Sequence, residues 1–120
     1  MLINLSNHPL STWSNKQKNA AIALYGEVVD YPFPHVSPDS DLDEIKELAK
    51  SIFDEIINQY KDKKITLHIM GEFSLVYQLV QSFQANRIPC VLSTSHRIVE
   101  EQNDGSKKVH FDFVKFRAYY

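Results

Sequence analysis

Apolar positions along the chain keep two different rhythms. Leu42, Ile45, Leu48, Ala49, Ile52, Phe53, Ile56 and Ile57 recur every three or four residues, the spacing of one helix face. Asp39, Ser40 and Asp41 just before them supply caps. A second helix is predicted after Met70-Gly-Glu, with Leu75, Val76, Leu79, Val80 and Phe83 on one side and an end near Asn86. A third runs from about Asn15 to Tyr25, opened by the capping box Ser14-x-x-Gln17 and stopped by Gly26. Between these lie short apolar runs that read as strands: Leu2 to Ser6, Glu27 to Tyr31, Ile65 to Met70 and Pro89 to Ser93. Pro9 ends the first strand, and Pro32, Pro34 and Pro38 make an extended loop long enough to cover an edge. Ile65, Leu67, Ile69 and Met70 suit a central strand buried on both faces.

The last quarter changes character. Arg97 to Gln102 and Lys107 to Ala118 are β-rich and meet across Asn103-Asp-Gly105, a strong hairpin signal. By alternation Val109, Phe111 and Phe113 face one way, Val114 and Phe116 the other. Either both faces are covered or a bulge lies near Phe113, and a two-sided aromatic ribbon suggests a subunit contact. The order of elements predicts an α/β fold: a small doubly wound sheet, mainly parallel, with a C-terminal antiparallel β-hairpin. If the second strand lies outside the first, the sheet's switch point falls between strands one and three. Their carboxyl ends are Ser6-Asn7-His8 and Gly71-Glu72-Phe73, and the second adjoins a helix N-terminus with unpaired N–H groups to offer.

Composition narrows the function. A length of 120 residues fits one domain, 1–120. With 13 Lys and Arg against 15 Asp and Glu, the chain lacks the cationic surplus of a duplex DNA binder, whereas a small anionic ligand needs only a few local groups. One cysteine, Cys90, allows no intrachain disulfide, and its apolar strand context favours a buried structural thiol over a nucleophile. No leader and no long apolar run is seen, so a cytoplasmic protein that does not enter the membrane is expected. Neither GxxxxGK[ST] nor GxGxxG occurs, and three glycines leave little room for them. His8, His35, His68, His96 and His110 are scattered without ligand spacing, so no metal site is expected.

Three clusters end strands at one predicted edge. Ser93-Thr-Ser-His-Arg97 gathers hydroxyls, an imidazole and a guanidinium. Hydroxyls and an arginine fork suit phosphate, although Ser and Thr also satisfy turn backbones and Arg97 is equally a solvated strand residue. Asn7-His8-Pro9 is either a turn closed by Asn7 or a wall contributing His8. Glu72 is explained by the helix dipole, or accepts hydrogen bonds from ribose hydroxyls. Phe73 packs in the core or stacks on a base, and Trp13 is a hydrophobic staple or a lid aromatic. His68, inside an apolar strand, reads as a satisfied core histidine and is placed outside the site.

Leu2-Ile-Asn-Leu-Ser-Asn-His-Pro9, Asp30-Tyr-Pro-Phe-Pro34, Met70-Gly-Glu-Phe73 and Ser93-Thr-Ser-His-Arg97, in that order, resemble the small stand-alone CARF-related proteins of type III CRISPR systems. The resemblance spans nearly the whole chain. It implies a Rossmann-like homodimer that binds a cyclic oligoadenylate second messenger, the tetra-adenylate ring first, across its two-fold axis. Relatives cleave that ring without metal or sequester it, and no cofactor is implied. Carried over by position, Ser6, Asn7, Gly71, Glu72, Phe73, Ser93 and Thr94 bind the ligand, while His8, His96 and Arg97 carry the chemistry, a histidine acting as general base or acid. No effector domain is expected after the sheet, which suits a terminator or buffer of the signal. A protein-interaction module acting through the ribbon from Val109 to Ala118 is the alternative of another class.

Overall fold

The computed structural model describes residues 1–120. Its elements are β1 (Leu2–Ser6), a 3-10 turn (Leu10–Thr12), α1 (Asn15–Tyr25), β2 (Val28–Pro32), α2 (Leu42–Gln59), β3 (Thr66–Met70), α3 (Phe73–Ala85), β4 (Cys90–Glu101) and β5 (Lys107–Ala118). They build one five-stranded sheet in the order β2-β1-β3-β4-β5. The first three pairings are parallel and β4 with β5 is antiparallel, so the fold is Rossmann-like α/β with the switch point between β1 and β3, as the pattern predicts.

Helix ends follow their caps. Ser14 accepts the Gln17 N–H at 3.2 Å to start α1, and Asp41 and Glu44 close a reciprocal capping box on α2. The strong apolar stripe of α2 buries Ile45, Ala49, Ile52 and Ile56. With α3 it covers Ile3, Leu5, Leu67 and Ile69 on one face of the sheet, each such side chain stabilising the fold by roughly 1.5–3 kcal/mol. The opposite face is covered by α1, which buries only Ala21 of its own residues. There Leu2 and Val91 pack with Trp13 and Ala21, and between them the strands present Asn4, Ser6 and His68, all buried.

The greatest departure from expectation is β4. Ser93 to Arg97 form no turn: the strand runs unbroken from Cys90 to Glu101, because β5 supplies backbone partners along its length. Of the two alternatives for the ribbon, a bulge near Phe113 is the one present. Thr94 pairs with Lys115 and Ser95 with Phe113, leaving Val114 as the extra residue. Phe113 and Phe116 therefore share a face, their ring centroids 5.0 Å apart, instead of pointing apart as strict alternation required. His68 pairs with Val91, so Ser93 stands level with Met70 at the sheet's carboxyl edge. Beyond it the β4–β5 ribbon projects for eight residues of β4 and, with the bulge, nine of β5, roughly 25 Å at ~3.3 Å per residue.

Candidate functional site

A cavity of about 570 Å³ opens at that carboxyl edge on the α1 face, between the β1 turn, the start of α1 and the base of the ribbon. Its walls include His8, Trp13, Gln17, His68, Ser93, Ser95, Phe111 and Phe113. Behind it lies a continuous run of hydrogen bonds. The Asp30 carboxylate on β2 accepts from Asn4 Nδ2 at 2.9 Å and from the Leu10 N–H at 3.1 Å. Asn4 Oδ1 meets the Ser6 hydroxyl at 2.7 Å and His68 Nδ1 at 2.8 Å. His68 Nε2 meets Ser93 Oγ at 2.5 Å, and Gln17 Nε2 donates to that same oxygen at 3.0 Å. The parallel register makes this possible by setting Asn4 opposite both Asp30 and His68.

Burial, helped by the nearby His8, pushes the His68 imidazole down to about 4, so the ring is neutral at neutral pH. Aromatic rings hold it in place. Trp13 stands edge-on at 5.2 Å between centroids and Phe116 at 5.6 Å. Trp13 also ties down the β1 turn, since its Nε1–H donates to the His8 carbonyl at 2.9 Å. Buried and braced, it is a fixed wall of the cavity.

The structure separates the residues that the sequence grouped. His8 and Ser93 meet at the cavity. Arg97 lies two residues beyond Ser95 on the same ribbon face, opposite Phe111, exposed and without an ion-pair partner. Thr94 and His96 point to the other face by the same alternation. Thr94 donates its hydroxyl to the Lys115 carbonyl at 3.2 Å, and His96 sits across from Asp112. Ser6 is buried, its hydroxyl engaged with Asn4 and with the His8 N–H at 3.1 Å, so it holds the turn and forms no part of the wall. Asn7 is exposed and its N–H binds the Met70 carbonyl at 3.2 Å.

Gly71, Glu72 and Phe73 do not line this cavity. The Glu72 carboxylate caps α3, accepting from the Leu75 N–H at 2.8 Å and the Ser74 N–H at 3.2 Å. With the Ser74 hydroxyl as the largest cause, these bonds hold Glu72 below its ordinary range. The helix N-terminus that the sequence offered to an anion is therefore occupied by the chain's own carboxylate. Gly71 lies under the Phe33 ring, which a Cβ would meet at 2.6 Å, so the Pro-rich loop does cover this edge. Phe73 is 91% exposed and packs in no core. Cys90 is buried, which pushes its thiol up to about 12 and leaves it inert as a nucleophile.

Sequence reasoning missed Asn4, Gln17 and Ser95 as site residues and left His68 out. A signal existed: Asn4 and Ser6 on β1 and Thr66 and His68 on β3 put polar side chains at alternate positions of otherwise apolar strands. No three His, Cys, Asp or Glu side chains lie close enough to hold a metal ion, and no helix is long and apolar enough to cross a membrane.

These features define a Rossmann-like protein with a cavity of mixed aromatic and polar lining at the carboxyl edge of its sheet. The chain belongs to the Uncharacterized protein MJ1673 family, whose model matches residues 1–117. No curated protein matches the sequence. Among solved structures it is similar to Can2 from Sulfobacillus thermosulfidooxidans in complex with cyclic tetra-adenylate. The likeness has 16% identity and a TM-score of 0.37, over 89% of this chain and 29% of that one. It is too slight to bear on the ligand, and this chain spans less than a third of that protein.

Proposed function

We propose that the protein binds a cyclic oligoadenylate, tetra-adenylate first, in type III CRISPR defence and opens the ring without a metal. The observation that carries this reading is the cavity itself, at the edge where doubly wound sheets take nucleotides, combining aromatic walls, hydroxyls and imidazoles. Phe111 offers an exposed face on which a base stacks, with buried Trp13 and Phe113 as the wall behind it, and Arg97, one rung outward, offers a phosphate fork. The order of sequence motifs resembling CARF-related proteins supports the same ligand class.

A cavity of 570 Å³ suits a ligand of one or two nucleotides, since pockets of ~300–1,000 Å³ hold drug-sized molecules. A four-nucleotide ring therefore calls for two cavities, and we infer a homodimer that places one on each side of the two-fold axis. The ribbon supplies apolar surface for that contact in Phe111, 68% exposed, with Val99 and Val109 beside it. Cleavage is attack of a ribose 2′-hydroxyl on the adjacent phosphorus, which positioning and charge-stabilising donors accelerate.

Incubation of the protein with cyclic tetra-adenylate in EDTA tests this directly. Linear products ending in a 2′,3′-cyclic phosphate are expected over several turnovers. A ring that stays intact while bound one per dimer turns the reading to sequestration, and no binding at all overturns both.

A further inference from the structure

The buried polar run on the α1 face has a direction, and that direction ends at the cavity. Asn4 Nδ2 sits between two acceptors, the Asp30 carboxylate and the His8 carbonyl at 2.8 Å, so the amide nitrogen must be there and the amide oxygen must face His68. An amide oxygen only accepts. His68 Nδ1 therefore carries the ring proton, and in a neutral imidazole Nε2 is then a bare lone pair. Burial and His8 keep the ring neutral. The Ser93 hydroxyl must donate to Nε2, and the Gln17 amide donates to Ser93 Oγ. One lone pair of Ser93 Oγ remains, and Ser93 lies on the cavity wall. Every buried side-chain polar atom in the chain is satisfied, so no alternative bond pulls this run the other way.

We propose that Ser93 and His68 are the proton-accepting pair of this site, with Ser93 Oγ receiving a ligand hydroxyl's hydrogen bond and passing its own proton to His68 Nε2. The inference rests on the ring-cleaving reading and changes who does its chemistry. Ser93 has no proton to offer a phosphate, so its partner is a donor, a ribose 2′-hydroxyl. In the step, the 2′-oxygen to phosphorus bond forms and the phosphorus to 5′-oxygen bond breaks. The 2′-proton moves to Ser93 Oγ as the Ser93 proton moves to His68 Nε2. The leaving 5′-oxygen takes a proton from solvent in the open cavity, and loss of the His68 proton back through Ser93 to solvent restores the pair. Asn4 and Asp30 touch no ligand; they are positioning residues that fix the tautomer, as a carboxylate or amide behind a catalytic imidazole does.

The test uses the full chain in two measurements. Nitrogen-15 NMR of the histidine rings at pH 7 is expected to find His68 neutral with its proton on Nδ1; a proton on Nε2, or a cationic ring, overturns the proposal without any ligand. Single-turnover cleavage of cyclic tetra-adenylate is expected to slow by ~10²–10⁴-fold in Ser93→Ala, the usual range for lost acid–base catalysis, with ring binding changed only a few-fold and Ser93→Thr recovering most of the rate. Ser93→Ala cleaving at the wild-type rate overturns it. Wild-type protein that leaves the ring intact overturns the ring-cleaving reading and this step together, and the His68 tautomer then shows whether the hydrogen-bond direction survives that failure.

Discussion

The two faces of this sheet are built from the same strands and do different work. Under α2 and α3, Ile3, Leu5, Leu67 and Ile69 meet an unbroken apolar layer. Under α1, the alternate residues of those strands are Asn4, Ser6 and His68, equally buried and joined by hydrogen bonds. The dry face is non-directional and tolerant, since apolar burial scales with area. The polar face is directional, because each donor needs its acceptor. Area-scaled stability resides mainly in the first and directional hydrogen bonding in the second, divided by nothing more than the period of a strand.

Truncation on the dry face gives the largest expected effect. Phe83, fully buried and packed at a tilt against Phe53 with centroids 5.0 Å apart, is expected to cost about 3–5 kcal/mol as Phe83→Ala, read by urea unfolding. A loss under 1 kcal/mol would erase the distinction between the faces.

Acid comes next and strikes the polar face. His68 falls from an ordinary 6.5 to about 4 in the folded chain, so between those values the unfolded state binds more protons. Stability is complete above ~6.5 and declines as pH falls towards ~4, by about 3 kcal/mol in all. Unfolding free energies across that window check it, and His68→Gln should flatten the slope.

Glu72→Ala should cost about 1 kcal/mol, the typical worth of an N-cap, by stranding the Ser74 and Leu75 N–H groups; thermal unfolding reads it. Arg97→Ala should shift stability by less than ~0.5 kcal/mol, as exposed substitutions do, yet weaken ring binding about tenfold or more through a lost charged hydrogen bond. Calorimetric titration with the ring separates the two, and unchanged affinity would remove Arg97 from the site.

Much of the fold was legible because its signals are local. Caps at Ser14 and Asp41, the stripe of α2, the hairpin at Asn103-Asp-Gly105 and the phase conflict around Phe113 each lie within a few residues of one another. The candidate site was less legible because it depends on register. Nothing near His68 in sequence reveals that Asn4 is its neighbour across β1 and β3, or that Ser93 is level with the cavity. Hydroxyl-rich Ser93 to Ser95 resembled a turn until β5 gave the segment a pairing partner. Glu72 misled in the opposite sense, because a helix start attractive to anions had already drawn its own.

The bulge at Val114 acts on β5 as a frameshift acts on a message. Residues 107–113 are read in one phase and 115–118 in the other. Were Val114 instead paired in the ladder opposite Ser95, the rest of the strand would slip by one, turning Phe111 and Phe113 away from the cavity and bringing His110 and Asp112 round in their place. One unpaired residue thus sets whether the ribbon shows the cavity rings or charges.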